Sequence, residues 1–122
     1  MDKAGFITEI VEALNCNDDK RVSIAVTFCG SQTNHGSILI PLLLHQLRYR
    51  LAMKSDQEFD ETEVILIGRA MTSIAHLLSS ANCEDKALFY AEGSRLFYVF
   101  SKHSNQNLSH HAKHALSMLR EN

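Results

Sequence analysis

Apolar side chains return along this chain mostly at intervals of three and four residues, the spacing that lines one face of an α-helix. Phe6, Ile7, Ile10, Val11 and Leu14 make the first such stripe, with Glu9 and Glu12 opposite it and Asp2 placed to cap the first turn. The stripe stops at Asn15-Cys16-Asn17. Residues 21–29 fit two periods at once: Val22, Ile24, Val26 and Phe28 alternate as in a strand, whereas Val22, Ala25, Val26 and Cys29 share a helical face. A strand here needs partners for its backbone groups, and only residues 87–100 could supply them.

Residues 30–37 are polar, bounded by Gly30 and Gly36 and without periodicity, so they read as a loop, with Ser37 a candidate cap for the next helix. From 38 to 54, Leu39, Leu43, Leu47 and Leu51 trace a stripe that Ile40, Leu42 and Leu44 broaden. Pro41 has no amide hydrogen and clashes with a preceding helical turn, which puts the expected start of this helix near Leu39. Asp56, Glu58, Asp60, Glu61 and Glu63 then come in quick succession and favour the positive end of a helix beginning near Asp60. Along 60–81, Val64, Ile67, Gly68, Met71, Ala75 and Leu78 form one face, widened by Leu66, Ile74 and Leu77, as expected of a central helix.

In residues 84–102, Phe89, Gly93, Leu96, Phe97 and Phe100 fit a helix with Asp85, Glu92, Arg95 and Lys102 on its wet side, and Gly93 would allow close packing. The rival is a hairpin of strands 87–91 and 95–100 around Glu92-Gly93-Ser94, a turn without the Asn-Gly or Asp-Gly pair that hairpins favour. Segregation of charge onto one helical face favours the helix. Leu108, Ala112, Ala115, Leu116 and Leu119 line a last helix. The expected fold is therefore all-α: about six helices in antiparallel pairs, 3–15 with 19–30, 38–54 with 60–81, and 84–102 with 108–120, forming a compact bundle or a short superhelix. The alternative is an α+β fold with strands near 21–29, 87–91 and 95–100. No motif recurs from pair to pair, so the pairs do not mark a repeat family.

Composition supports one domain over 1–122, since this length holds a single core and 45% apolar with 21% charged residues is ordinary for a globular chain. Five Gly and one Pro suit helices better than a turn-rich β fold. Cys16, Cys29 and Cys83 are odd in number and form no CxxC pair, which disfavours a disulfide framework or a zinc ribbon and fits a reducing cytoplasm. Glu9 and Glu12 interrupt any signal-peptide core near the start, and the apolar runs 38–44 and 64–67 fall short of the roughly 20 residues a membrane span needs.

Candidate chemistry is sparse. His110 and His114 lie one helical turn apart, with His103 and His111 nearby, but no Glu comes after His110 as in zinc-protease helices, so no metal is assigned. Cys29 and His35 flank the 30–37 loop and would need a third orienting group to act as a thiol nucleophile. Gly30 and Gly36 are one residue too far apart for a phosphate loop, and no lysine precedes Ser37. A net charge of −2 without a basic cluster excludes a nucleic-acid footprint, and no cofactor is expected.

Charge is nonetheless uneven. Arg95, Lys102, Lys113 and Arg120 face only Glu121 in the last part of the chain, whereas 56–63 carries acids and no base. The expectation is a non-enzymatic, cytoplasmic protein-binding domain whose contact residues are Asp56, Glu58, Asp60, Glu61 and Glu63 and whose partner is basic, with Tyr49, Tyr90 and Tyr98 as candidate anchors. By analogy of size and charge, an immunity-type inhibitor of a toxin or nuclease, or a secretion chaperone, fits this description. The alternatives are a small-ligand-binding protein or thiol-dependent enzyme using residues 29–37, and a homodimeric subunit joined through the 38–54 or 60–81 helix.

Overall fold

The computed structural model describes residues 3–53, 59–80 and 85–120, and all of its regular structure is helical. The helices are α1 (Lys3–Leu14), α2 (Asp19–Cys29), α3 (Gly36–Met53), α4 (Glu61–Ser80), α5 (Lys86–Ser101) and α6 (Gln106–Arg120), with a short 3-10 turn at Thr33–His35 before α3. No strand occurs among the described residues, so the α+β alternative does not hold.

Side-chain placement explains why. On α2, Val22, Ala25, Val26 and Cys29 are buried, while Ile24 and Phe28, which a strand would have put beside Val22 and Val26, are exposed. On α5, Gly93, Leu96, Phe97 and Phe100 turn inward and Arg95 and Lys102 turn outward. The helical period wins in both segments because it gathers the apolar groups on one side without leaving lone strands whose amides lack partners.

Asp and Asn side chains begin several helices. Asp18, in extended conformation, accepts from the Lys20 amide at 3.0 Å, Asp60 from the Glu63 amide at 2.8 Å, and Asn105 from the Leu108 amide at 3.0 Å. The expected cap at Asp2 lies outside the described residues. The start of α3 departs from expectation: the helix begins at Gly36, which leaves Ser37 inside it and Pro41 in its second turn. Pro41 cannot bond the Ser37 carbonyl, but Ser37 is exposed and water can take that place.

Consecutive helices pair as α1–α2, α3–α4 and α5–α6, and the pairs stack. One layer runs α1, α3, α5 and the other α2, α4, α6, with α4 also against α5. The result is a compact all-α bundle, the first of the two forms expected, in which the helix pairs lie side by side. Helix α4 is its centre: Leu66, Ile67, Ala70, Met71, Ile74, Ala75 and Leu77 are all fully buried. The broad apolar surface of 60–81 thus goes mostly into the core, with Ile65 left 40% exposed.

Close approaches fix the stacking. A Cβ added to Gly68 of α4 would lie 2.9 Å from the His111 ring of α6. Gly30 faces Ser73, whose hydroxyl donates to the Val26 carbonyl at 2.7 Å and ties α4 to α2. Gly93, in contrast, has its nearest outside neighbour at 3.7 Å from an added Cβ, an ordinary contact, so the packing of α5 does not depend on that glycine.

Candidate functional site

One end of the stack brings together the α1–α2 turn, the last turns of α3 and the start of α4 around an open cleft of about 440 Å3. Its floor is polar and its centre is Arg50, only 7% exposed. The Arg50 guanidinium donates from Nε to Gln46 Oε1 at 3.1 Å, from Nη1 to Glu63 Oε2 at 3.0 Å and from Nη2 to Asp19 Oδ1 at 2.9 Å. Gln46 in turn donates to the Leu14 carbonyl at 2.6 Å, satisfying an acceptor at the end of α1 that no helical amide can reach. One planar fork thereby holds α2, α3 and α4, and through Gln46 also α1.

Around this floor stand Asn15, Cys16, Asn17, His45, Tyr49, Met53 and Asp60. Tyr49 is 53% exposed and Met53 64%, and the His45 and Tyr49 rings stack at 6.3 Å. Asp19, Asp60 and Glu63 set three carboxylates against the single guanidinium of Arg50, so the cleft carries an acidic excess. Glu61 is exposed in the first turn of α4, and Asp18 is exposed at the start of α2.

The residues expected to form an acidic contact surface separate. Asp60 and Glu61 lie on the surface at this end, although one Asp60 oxygen is engaged in capping α4. Glu63 is buried and held by Arg50, so its carboxylate is part of the scaffold and is not offered to a partner. Asp56 and Glu58 lie outside the described residues. Charge and motif spacing do not single out the Arg50–Gln46 pair, although it carries a signal: Gln46 and Arg50 continue the Leu39–Leu43 side of α3, where a polar pair four residues apart must be bonded if buried.

The other candidates disperse. Cys29 is fully buried, and burial pushes its thiol up to about 12, which favours the protonated form at neutral pH. His35 sits in the 3-10 turn, its amide bonded to the Gln32 carbonyl. His110 and His114 are exposed, His111 packs on Gly68, and His103 Nδ1 accepts from the Asn105 amide at 3.0 Å, shaping the α5–α6 turn. No group of three potential metal ligands gathers among the described residues. Tyr90 and Tyr98 lie outward on α5 and do not line the cleft, with the Tyr90 hydroxyl on the Leu119 carbonyl and Lys102 Nζ 5.2 Å from the Tyr98 ring.

No described helix is long and apolar enough to cross a membrane. No family model matches the chain, and neither the curated proteins nor the solved structures contain one significantly similar to it.

Proposed function

We propose that this helical domain is a non-enzymatic binding protein that receives a basic protein partner at its acidic end. The observation that supports the reading is the cleft itself. Its floor is rigidly bonded, its ionisable groups leave an acidic excess, and two large apolar side chains, Tyr49 and Met53, stand on its rim largely in water. A lysine or arginine side chain from a partner meets opposite charge there and an aromatic face for its alkyl stem or cation. Asp60 and Glu61 extend the attraction beyond the cleft and speed encounter with a positive surface.

A cytoplasmic inhibitor that neutralises a basic toxin or nuclease, or a chaperone that holds a basic client, acts by this kind of contact. The reducing setting suits the free thiols of Cys16 and Cys29. The test is affinity capture from the native cytosol at low and high salt, comparing the wild-type chain with a Tyr49→Ala/Glu61→Lys variant. Neither residue belongs to the Arg50 network or caps a helix, so the variant should fold normally. A stoichiometric basic partner lost from the variant and released by salt is the expected result; a partner retained equally by both chains rejects this site.

A further inference from the structure

A stack of helix pairs ends in two faces, and such stacks normally close them with polar residues. Here no described residue closes the first pair. Between α1 and α2, on the side away from α4, runs an open groove of about 470 Å3 whose apolar walls are Phe6, Ile24 and Phe28. Phe6 and Phe28 meet edge to face at 5.8 Å, and Ile24 is 57% exposed. Glu9 and Glu12 line the same groove against a single base, Arg21.

The last pair carries the complement. The outward face of α5 presents Leu88, 69% exposed, with Tyr98 and Val99 about three turns further on; Arg95 and Lys102 interleave with them, and the one acid on that side, Glu92, is already paired with Arg48 of α3. Leu88 to Val99 spans about 16 Å of helix at ~1.5 Å per residue, enough to cover the α1 wall from Phe6 to Ala13. An apolar ridge edged with cations thus fits an apolar groove edged with carboxylates, in the manner of a helix laid into a groove.

We propose that the chain associates head to tail, with α5 of one copy lying in the α1–α2 groove of the next and continuing the stack of helix pairs across the junction. The contact joins two different faces, so each added copy leaves a free groove at one end and a free ridge at the other. Growth then runs on as a filament or closes as a ring. This contact is separate from the acidic cleft and differs from the expected pairing of two copies through α3 or α4.

Sedimentation velocity on the full chain from ~10 µM to ~1 mM suits the weak association expected of a small interface. Mass should rise with concentration beyond that of a dimer and fall with added salt. Ile24→Glu and Leu88→Glu alter side chains more than half exposed, and each alone should weaken association at least tenfold with unchanged circular dichroism and melting. Each variant keeps one intact face, so an equimolar mixture should form a 1:1 dimer and stop there. A wild-type chain that stays monomeric throughout the range overturns the proposal without reference to any variant. Growth that ends at a wild-type dimer together with a mixture that fails to associate shows a symmetric contact and overturns it too.

Discussion

Arg50 illustrates how far a single side chain can decide the behaviour of its surroundings. It is buried, yet all three of its nitrogens are bonded, two of them to carboxylates, and no buried side-chain nitrogen or oxygen among the described residues lacks a partner. Arg50→Met should therefore destabilise the domain by about 3–5 kcal/mol, because it removes the guanidinium that faces the buried Glu63 carboxylate and also breaks the bonds to Asp19 and Gln46. Arg50→Lys should also be costly, since an ammonium cannot reproduce the fork. Adding Glu63→Gln to Arg50→Met should recover part of the loss. Urea unfolding of the three variants checks the order, and a wild-type midpoint for Arg50→Met would contradict it. Cys29 gives a second prediction, about pH. Its thiol ionises near 9.0 in the unfolded chain and only near 12 in the folded one. Unfolding above pH 9 therefore releases a proton, so this residue's contribution is complete below pH 9 and is lost as pH rises toward 12. Stability measured at pH 8 and pH 10.5 should fall less in Cys29→Ala than in wild type. The burial of Cys29 is legible from its place on the Val22–Val26 face, and the role of Arg50 is not: a charge within an apolar helix is ordinarily assigned to the wet side, and the partners that allow its burial are 13 and 31 residues away.

At the scale of helices, local period is informative wherever an apolar stripe and a charged face both run the length of a segment. α4 and α6 follow their stripes closely, and the residues expected inward, from Ile67 to Leu78 and from Leu108 to Leu119, are those the structure buries, with Leu116 only half-buried. α2 and α5 are ambiguous because β-branched and aromatic residues serve either period, and the decision between periods is made by packing against other helices, chiefly α4 for α2 and α6 for α5, which a local window does not contain. α3 misleads at its start for a different reason: the rule against proline inside helices weakens where the orphaned carbonyl faces water, as it does at Ser37. The contact between α4 and α6 is open to a direct test. Gly68→Ala drives a methyl group into the His111 ring and should cost about 1–3 kcal/mol. His111→Ala removes the obstacle, so the double variant should be more stable than the sum of the two single losses implies. Strict additivity in that cycle would show that the helices do not meet as described.

For the molecule as a whole, the expectation of three antiparallel pairs holds, because short connections leave consecutive helices no choice but to turn back on each other. The functional surfaces are harder to read. The run 56–63 looks like one acidic patch when charge is counted along the chain, whereas the fold sends Glu63 inward and leaves Glu61 outward. Tyr49 and Met53 join Asp19 only through tertiary packing, so no local pattern could reveal the cleft. The exposed charges at this end are screened beyond about 8 Å at physiological salt, so on the proposed reading capture of a basic partner should decline steadily as salt is raised. A partner held unchanged at about 1 M salt, where the screening length is only ~3 Å, would point to apolar contacts alone.

The clamp at Arg50 has a further consequence for how the protein opens. The α1–α2 turn, the last turns of α3 and the start of α4 depend on one side chain, so loosening any of them withdraws bonds from the others. Backbone amides in these three places are therefore expected to exchange with solvent deuterium at a common rate, as one cooperative unit, while α5 and α6, which the clamp does not touch, breathe on their own schedule.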